Sequence, residues 1–434
     1  MLKKIIEIGL KKGFNTIEVR GKKVVGLDIE VFGGQIEKVE KSDLNTINIK
    51  GLYRGHQASI SIEDLDENKI EYYLDELITN ASLVTSKEPT VFYKGAKKYH
   101  EVELKTSDLA NHSIEEKQNL LLDLEALILK GKNASKVETT VYSESFTTFT
   151  LINSKGLNLS KTTGSAILYS VGIFDKDGDT QSSLDYKIGF NFADFKIDKL
   201  AKTIIKDGNA KLGASQIPTG TYDVVFSNEA FASLVSVFSS IFTSESLVRN
   251  ITKLKDKVGT TIAASIVNLV DNPFSKHAIV QQAFDNEGYP TRKKNIIEKG
   301  VFKGFINNLK FAKMANQKPT GNGFNGISFV QAEVLPGKTS LPNLLKKVNN
   351  GVYVTELAGL HASVNPTSGS FQAQTSGFII KDGKLGQAVR LVVLASNFFD
   401  ILLNVQELAS DGKLTMSDIY SPSVWVGRLP IAGK

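Results

Sequence analysis

The sequence predicts an α+β protein, with an N-terminal α/β region of two subdomains followed by a β-rich, barrel-like C-terminal domain. Three observations carry this reading. The chain has 434 residues, too many for one ordinary core at roughly 100–200 residues per domain. Ile217-Pro218-Thr219-Gly220 makes a Pro/Gly break between a helical run and a strand-like run at 222–226. Beyond that break, short β-like runs are punctuated by glycines from Gly288 and Gly300 through Gly359 and Gly383, the texture of an antiparallel sheet or barrel. The expected boundaries are 1–105, 106–216 and 217–434.

The elements follow in order. Residues 2–12 place Leu2, Ile5, Ile6 and Leu10 near one helical face with lysines opposite, and Gly13 ends the helix. Alternation marks strands at 16–20, 24–32 and 46–52, with Gly33-Gly34 as a turn signal, and another at 58–62. A helix is expected at 67–83. Around 85–106 the chain turns polar and basic without periodicity, as a connection between subdomains does. Ser113 followed by Glu116 is a capping-box pattern ahead of the apolar run 120–129. Strands are expected at 136–142, 147–153 and 166–174, a turn at 175–179 around Gly178, and a helix at 195–212.

Composition narrows the function. Apolar residues make up 41% and charged residues 23%, which suits a folded, core-forming chain. There is no cysteine, so disulfides, thiolate catalysis and Cys-ligated zinc are excluded. The longest apolar run, 231–242, is Ser-rich and short of the roughly 20 residues that span a bilayer. The N-terminal apolar residues are broken by Lys or Glu every few positions, with no small-residue cleavage site. A soluble, cytoplasmic protein is expected, with no membrane association. The net charge of +6 is dispersed along the chain. Direct nucleic-acid binding, which needs a concentrated basic stripe, is not expected.

Chemistry-bearing groups are few. Ser227-Asn228-Glu229 follows a strand and opens a helix, where Ser227 or Asn228 can cap and Glu229 suits the positive end of the dipole. Thr320-Gly321-Asn322-Gly323 lacks the Lys-Ser/Thr of a phosphate loop and precedes a β-like stretch at 327–334, so nucleotide binding is not expected. Such a glycine loop lets another backbone approach closely, and beside a sheet edge it suits strand addition by an extended peptide. No two of His56, His100, His112, His277 and His361 lie at helical ligand spacing, and none sits in a nucleophile-elbow pattern.

Several C-terminal motifs, in order and spacing, resemble the TldD/PmbA family. They are Asp285-Asn286-Glu287-Gly288, the glycine hairpin from Ile296 to Phe305, Lys318-Pro319-Thr320-Gly321-Asn322-Gly323, Leu335-Pro336-Gly337-Lys338, Val354-Thr355-Glu356-Leu357 and the closing Leu429-Pro430-Ile431-Ala432-Gly433-Lys434. The Val-Thr-Glu-Leu element resembles the PmbA-like (TldE-like) branch. In TldD-like proteins the strand-to-helix position resembles HExxxH, a zinc helix whose third ligand is a Cys near the C-terminus. Here Asn228 and Ser233 stand where the histidines would be, Ser421 lies in the stretch matching the Cys, and only Glu229 is retained. An amide and hydroxyls are poor zinc ligands beside imidazole.

The resemblance therefore implies a metallopeptidase-complex subunit with no metal site or catalytic residue of its own. Zinc is expected in a TldD-like partner, with a homodimer as the other assembly, and the substrate is an unfolded or modified peptide. Gly321, Asn322, Gly323 and His361 are the expected substrate-binding residues, His361 because it falls where the family's cleft is expected. Two alternatives stand beside this: a peptidase active on its own through an unrecognised site, and a regulatory binding protein of the DNA gyrase modulator type.

Overall fold

The structure is a computed structural model that describes residues 1–85, 88–103, 105 and 107–434. The chain divides into two compact units. The first is Met1–Lys97 with Glu103–Leu212, and the second is Lys98–Val102 with Gly213–Lys434.

Among the described residues, the first unit is an antiparallel sheet backed by four α-helices. Its strands are β1 (Thr16–Phe32), β2 (Gln35–Tyr53), β3 (His56–Glu63), β4 (Ala134–Asn153), β5 (Asn158–Lys176) and β6 (Asp179–Gly189), ordered β3-β2-β1-β4-β5-β6. Side chains alternate across a strand, so Ile17, Val19, Leu27, Ile29 and Val31 of β1 share one buried face. Helices α1 (Leu2–Lys11) and α2 (Ile70–Leu83) pack over Ile17, Val19, Ile47 and Ile49. Helices α3 (Ile114–Leu129) and α4 (Ile197–Lys211) pack over Leu27, Ile29, Val31 and Leu168. Two separate cores thus lie on a single sheet.

The stretches expected as separate strands at 16–20 and 24–32 are one strand, and so are 136–142 and 147–153. The intervening residues break the apolar alternation, but β1 is paired on both sides from Glu18 to Val31, which keeps the ladder continuous. Strand β6, which the sequence reading did not foresee, forms as the outer partner of β5. The capping box is realised: Glu116 N–H donates to Ser113 Oγ at 3.1 Å, and Ser113 N–H to Glu116 Oε2 at 2.7 Å. The described residues of 84–108 form neither helix nor strand.

The second unit joins a barrel to a smaller sheet. Its strands are β7 (Gly220–Phe226), β8 (Leu269–Asp271), β9 (Lys294–Glu298), β10 (Val301–Phe302), β11 (Ala332–Val334), β12 (Gly351–Ala358), β13 (Val364–Asn365), β14 (Ser370–Lys381), β15 (Lys384–Asn397), β16 (Glu407–Leu408), β17 (Lys413–Leu414), β18 (Ile419–Ser421) and β19 (Val424–Ala432). The order β12-β7-β19-β15-β14, with β14 pairing back to β12, closes a five-stranded barrel. Closure removes the open edges that would otherwise recruit other strands. The pair β7–β12 is parallel and the other four pairs are antiparallel. Helix α5 (Asn228–Val237) follows β7 and buries Phe231, Leu234 and Val235 in the same core as Val224, Phe226, Val352, Val392 and Val426.

The second sheet is ordered β10-β9-β8-β11-β18-β17. The hairpin expected around Gly300 is present as β9–β10, and Gly300 has φ 79°. The β-like stretch at 327–334 narrows to Ala332–Val334. The reason is local: the Asp271 carboxylate takes the N–H groups of Val330 and Gln331 and diverts them from a ladder.

Candidate functional site

The turn from β7 into α5 is built by Ser227, whose Oγ accepts the Ala230 N–H at 3.2 Å and caps the helix. The next residue, Asn228, is buried, and its amide donates to the carbonyls of Asp411 and Ser421, both at 2.9 Å. The structure therefore brings two of the three expected ligand positions together, because β18 lies beside α5. Ser233 turns its hydroxyl back to the Ala230 carbonyl at 2.8 Å. Ser421 is fully buried, and its hydroxyl donates to the Pro422 carbonyl at 3.1 Å.

This donor set does not fit a zinc ion. An uncharged amide and two alcohols offer neither imidazole nitrogen nor anionic sulfur. Each is also already committed as a hydrogen-bond donor. Among the described residues, no group of three His, Cys, Asp or Glu is placed to hold a metal. Glu229, the retained acid, lies 3.3 Å from the Lys413 ammonium and accepts the Met416 N–H at 3.1 Å. Asp411 completes the surroundings, receiving the N–H of Ser423 at 2.9 Å and its hydroxyl at 2.8 Å. No sequence signal marked Asp411 or Lys413, which come from a short loop and an edge strand far along the chain.

The glycine loop belongs to a different constellation. Gly321, Asn322 and Gly323 are all buried. Gly321 has φ 76°, and a β-carbon there would lie 2.5 Å from the Pro290 carbonyl oxygen, so the close backbone approach expected of this loop is present. The Asn322 amide donates to Asp271 Oδ2 at 2.7 Å and to the Ser328 carbonyl at 2.8 Å. The Gly323 N–H donates to Asp285 Oδ2 at 2.9 Å.

Two buried acids organise this region. Asp271 is fully buried and sits 3.0 Å from Lys294 Nζ, whose own pKa is lowered by burial against the attraction of that carboxylate. Asp285 is also fully buried and accepts three backbone N–H groups, from Glu287, Tyr289 and Gly323. Burial, with the Glu287 charge adding to it, pushes the Asp285 carboxyl up to about 7. The turn Asp285–Gly288 was legible in the sequence and has the expected positive φ at Gly288, 78°. The Asp271–Lys294 pair was not, because its members lie on different strands.

Beyond the glycine loop the chain reaches a cleft of about 330 Å³, lined by Ile279, Val280, Phe324, Ser328, Gln331 and Asp418 among others. The loop residues themselves stand behind Phe324 and Ser328, which line it. Burial alone pushes the Asp418 carboxyl up to about 6. His361 is exposed on a one-turn helix, Leu360–Ser363, that packs against α5 and β14. Among the described residues, no helix is long and apolar enough to cross a membrane.

Residues 219–433 match the PmbA/TldA metallopeptidase C-terminal domain, and residues 107–212 match the central domain. Metalloprotease PmbA of Escherichia coli O157:H7 is 24% identical, over 96% of this chain and 92% of its own length. The PmbA homologue of Buchnera aphidicola from Acyrthosiphon pisum is 24% identical, over 98% and 95%. Among solved structures, a Thermotoga maritima protein whose name refers to modulation of a DNA gyrase superimposes with a TM-score of 0.93 at 25% identity, covering 99% of both chains. TldE of Thermococcus kodakarensis shares the fold, with a TM-score of 0.91 at 23% identity over 100% of both chains. The chain belongs to the TldD/PmbA family.

Proposed function

We propose that this chain is a PmbA/TldE-type subunit of a metallopeptidase assembly, binding an extended, unfolded or modified peptide while a TldD-like partner supplies zinc and hydrolysis. One observation carries the reading. The three positions that would ligate the metal hold Asn228, Ser233 and Ser421, and each side chain is already spent in a hydrogen bond within the fold. Glu229 has Lys413 beside it as counter-charge, so its carboxylate serves the local structure and deprotonates no metal-bound water.

The cleft beside the glycine loop suits a peptide. Its walls are apolar at Ile279, Val280, Phe324 and Phe329, with Gln282 and Ser328 as polar lining groups. Gly321, Asn322 and Gly323 hold that wall in shape from behind, and His361 contributes an exposed imidazole beside α5. Strand β17 is an outer strand of the second sheet close to Glu229, the kind of element on which an extended peptide adds.

The test is reconstitution. Purified chain is assayed against an unfolded polypeptide with added zinc, alone and with a zinc-bearing TldD-like protein, and each protein's metal content is measured. Cleavage only in the mixture, with zinc only in the partner, is expected. Stoichiometric zinc in this chain, or cleavage by it alone, overturns the proposal and favours the self-sufficient peptidase.

A further inference from the structure

The segment Lys98–Val102 lies in the connection between α2 and α3, yet it packs as part of the second unit. It belongs to no helix or strand. Two neighbouring aromatic side chains hold it. The Tyr99 ring meets Phe284 edge to face at 5.8 Å and 72°, and its hydroxyl donates to the Gly288 carbonyl at 2.9 Å. The His100 ring lies 3.8 Å from that of Phe274. Phe274 and Phe284 stand near the two ends of one irregular loop, whose middle residues Ile279, Val280 and Gln282 line the cleft.

The receiving surface carries hydrogen bonds of its own. Gln281 Nε2 donates to the Phe274 carbonyl, and Gln282 N–H to the Pro273 carbonyl. Ser275 Oγ donates to the buried Glu333 carboxylate. Asp285 fixes the Gly288 turn through the N–H groups of Glu287 and Tyr289. The strap itself is shallow: Tyr99 is half-buried, and Lys98, His100 and Glu101 are exposed. A hydrogen-bonded receptor with a weakly buried occupant has the anatomy of a peptide-binding site filled from within the same chain.

We propose that the surface formed by Phe274, Phe284 and the Gly288 carbonyl is a binding subsite for an extended peptide carrying two adjacent aromatic side chains, a tyrosine first. In the resting chain Lys98–Val102 occupies it as an internal, displaceable ligand. The proposal rests on the reading of this chain as a peptide binder and adds to it a residue preference and a self-inhibiting contact. A tethered occupant competes at an effective concentration on the order of millimolar, so a free peptide gains the site only when the strap is weakened or displaced.

The experiment uses the full-length chain and a fluorescein-labelled peptide copying residues 94–103, read by fluorescence anisotropy with no partner and no metal present. Y99A/H100A is expected to bind the probe about tenfold or more tightly than the unaltered chain, because the tethered competitor is gone. Adding F284A to that variant is expected to abolish the gain. Y99F, which keeps the ring and loses only the hydroxyl bond, is expected to fall between, and it reports on the contact if the double variant folds poorly. Equal binding by the unaltered chain and Y99A/H100A, or a gain that F284A leaves intact, overturns the proposal. The readout is independent of hydrolysis. Failure here leaves the reconstitution assay standing, and failure of that assay leaves this binding result standing.

Discussion

Asn228 illustrates how one residue redirects a site. A histidine there would present a ring nitrogen to a metal, whereas the amide presents two N–H groups and delivers both to backbone carbonyls at 2.9 Å. Truncating it strands the buried Ser421 carbonyl and the partly buried Asp411 carbonyl, so Asn228→Ala is expected to cost about 1–3 kcal/mol in urea denaturation. Removing Lys413 instead is expected to cost under about 1 kcal/mol, because its pair with Glu229 is partly exposed. Asp285 sets a pH dependence of definite sign. Its folded-state value of about 7 lies above that of an unfolded aspartate, so between about pH 4 and 7 the native state holds a proton that the unfolded chain has released. The stability it contributes is full below that window and is lost as pH rises through it, by up to about 1.4 kcal/mol per pH unit. Denaturation curves across this range, for the unaltered chain and Asp285→Asn, are expected to differ by that slope. A constant difference would mean that Asp285 titrates elsewhere.

At the scale of elements, the loop at 320–323 and the strands β8 and β9 act as one unit. Asp271, from β8, is neutralised by Lys294, from β9, and Asp271 in turn holds the Asn322 amide. Lys294→Ala leaves a fully buried carboxylate without its cation, and a loss of about 3–5 kcal/mol in equilibrium unfolding is expected. Gly321 combines a positive φ with backbone atoms of Pro290 and Thr291 packed against its α-carbon. Gly321→Ala is therefore expected to destabilise by about 2 kcal/mol or more, well beyond the usual glycine-to-alanine difference. A stabilised Gly321→Ala variant would show that this loop can relax away from Pro290.

At the scale of the whole molecule, the family fold is kept, and its helix α5 carries no imidazole. The strand-to-helix turn after β7 and strand β18 still meet, as the Asn228–Ser421 hydrogen bond records. Installing Asn228→His and Ser233→His alone is expected to give no tight zinc binding, because two imidazoles on one helix lack the third ligand. Adding Ser421→Cys is expected to produce measurable affinity by titration calorimetry, since position 421 already adjoins position 228. Tight zinc binding by the double variant would show that another group serves as third ligand.

Much of this was written in local sequence. The Ser113–Glu116 box, the Gly288 turn, the hairpin around Gly300 and the Pro/Gly break before β7 depend on neighbours within a few residues, so the residues themselves declare them. Ligand chemistry also belongs to the side chain, so Asn228, Ser233 and Ser421 declare themselves poor zinc donors in the sequence. Only the tertiary structure decided that β1 and β4 run unbroken through polar stretches, since pairing on both sides outweighs a weak local pattern. It alone also decided that Asp271 meets Lys294, that the loop at 320–323 is buried behind the cleft wall, and that Tyr99 and His100 dock on Phe284 and Phe274. Those contacts join residues from 23 to nearly 190 positions apart, and burial and charge pairing at such range arise from the closing of sheets and barrel. No periodicity in the chain encodes them.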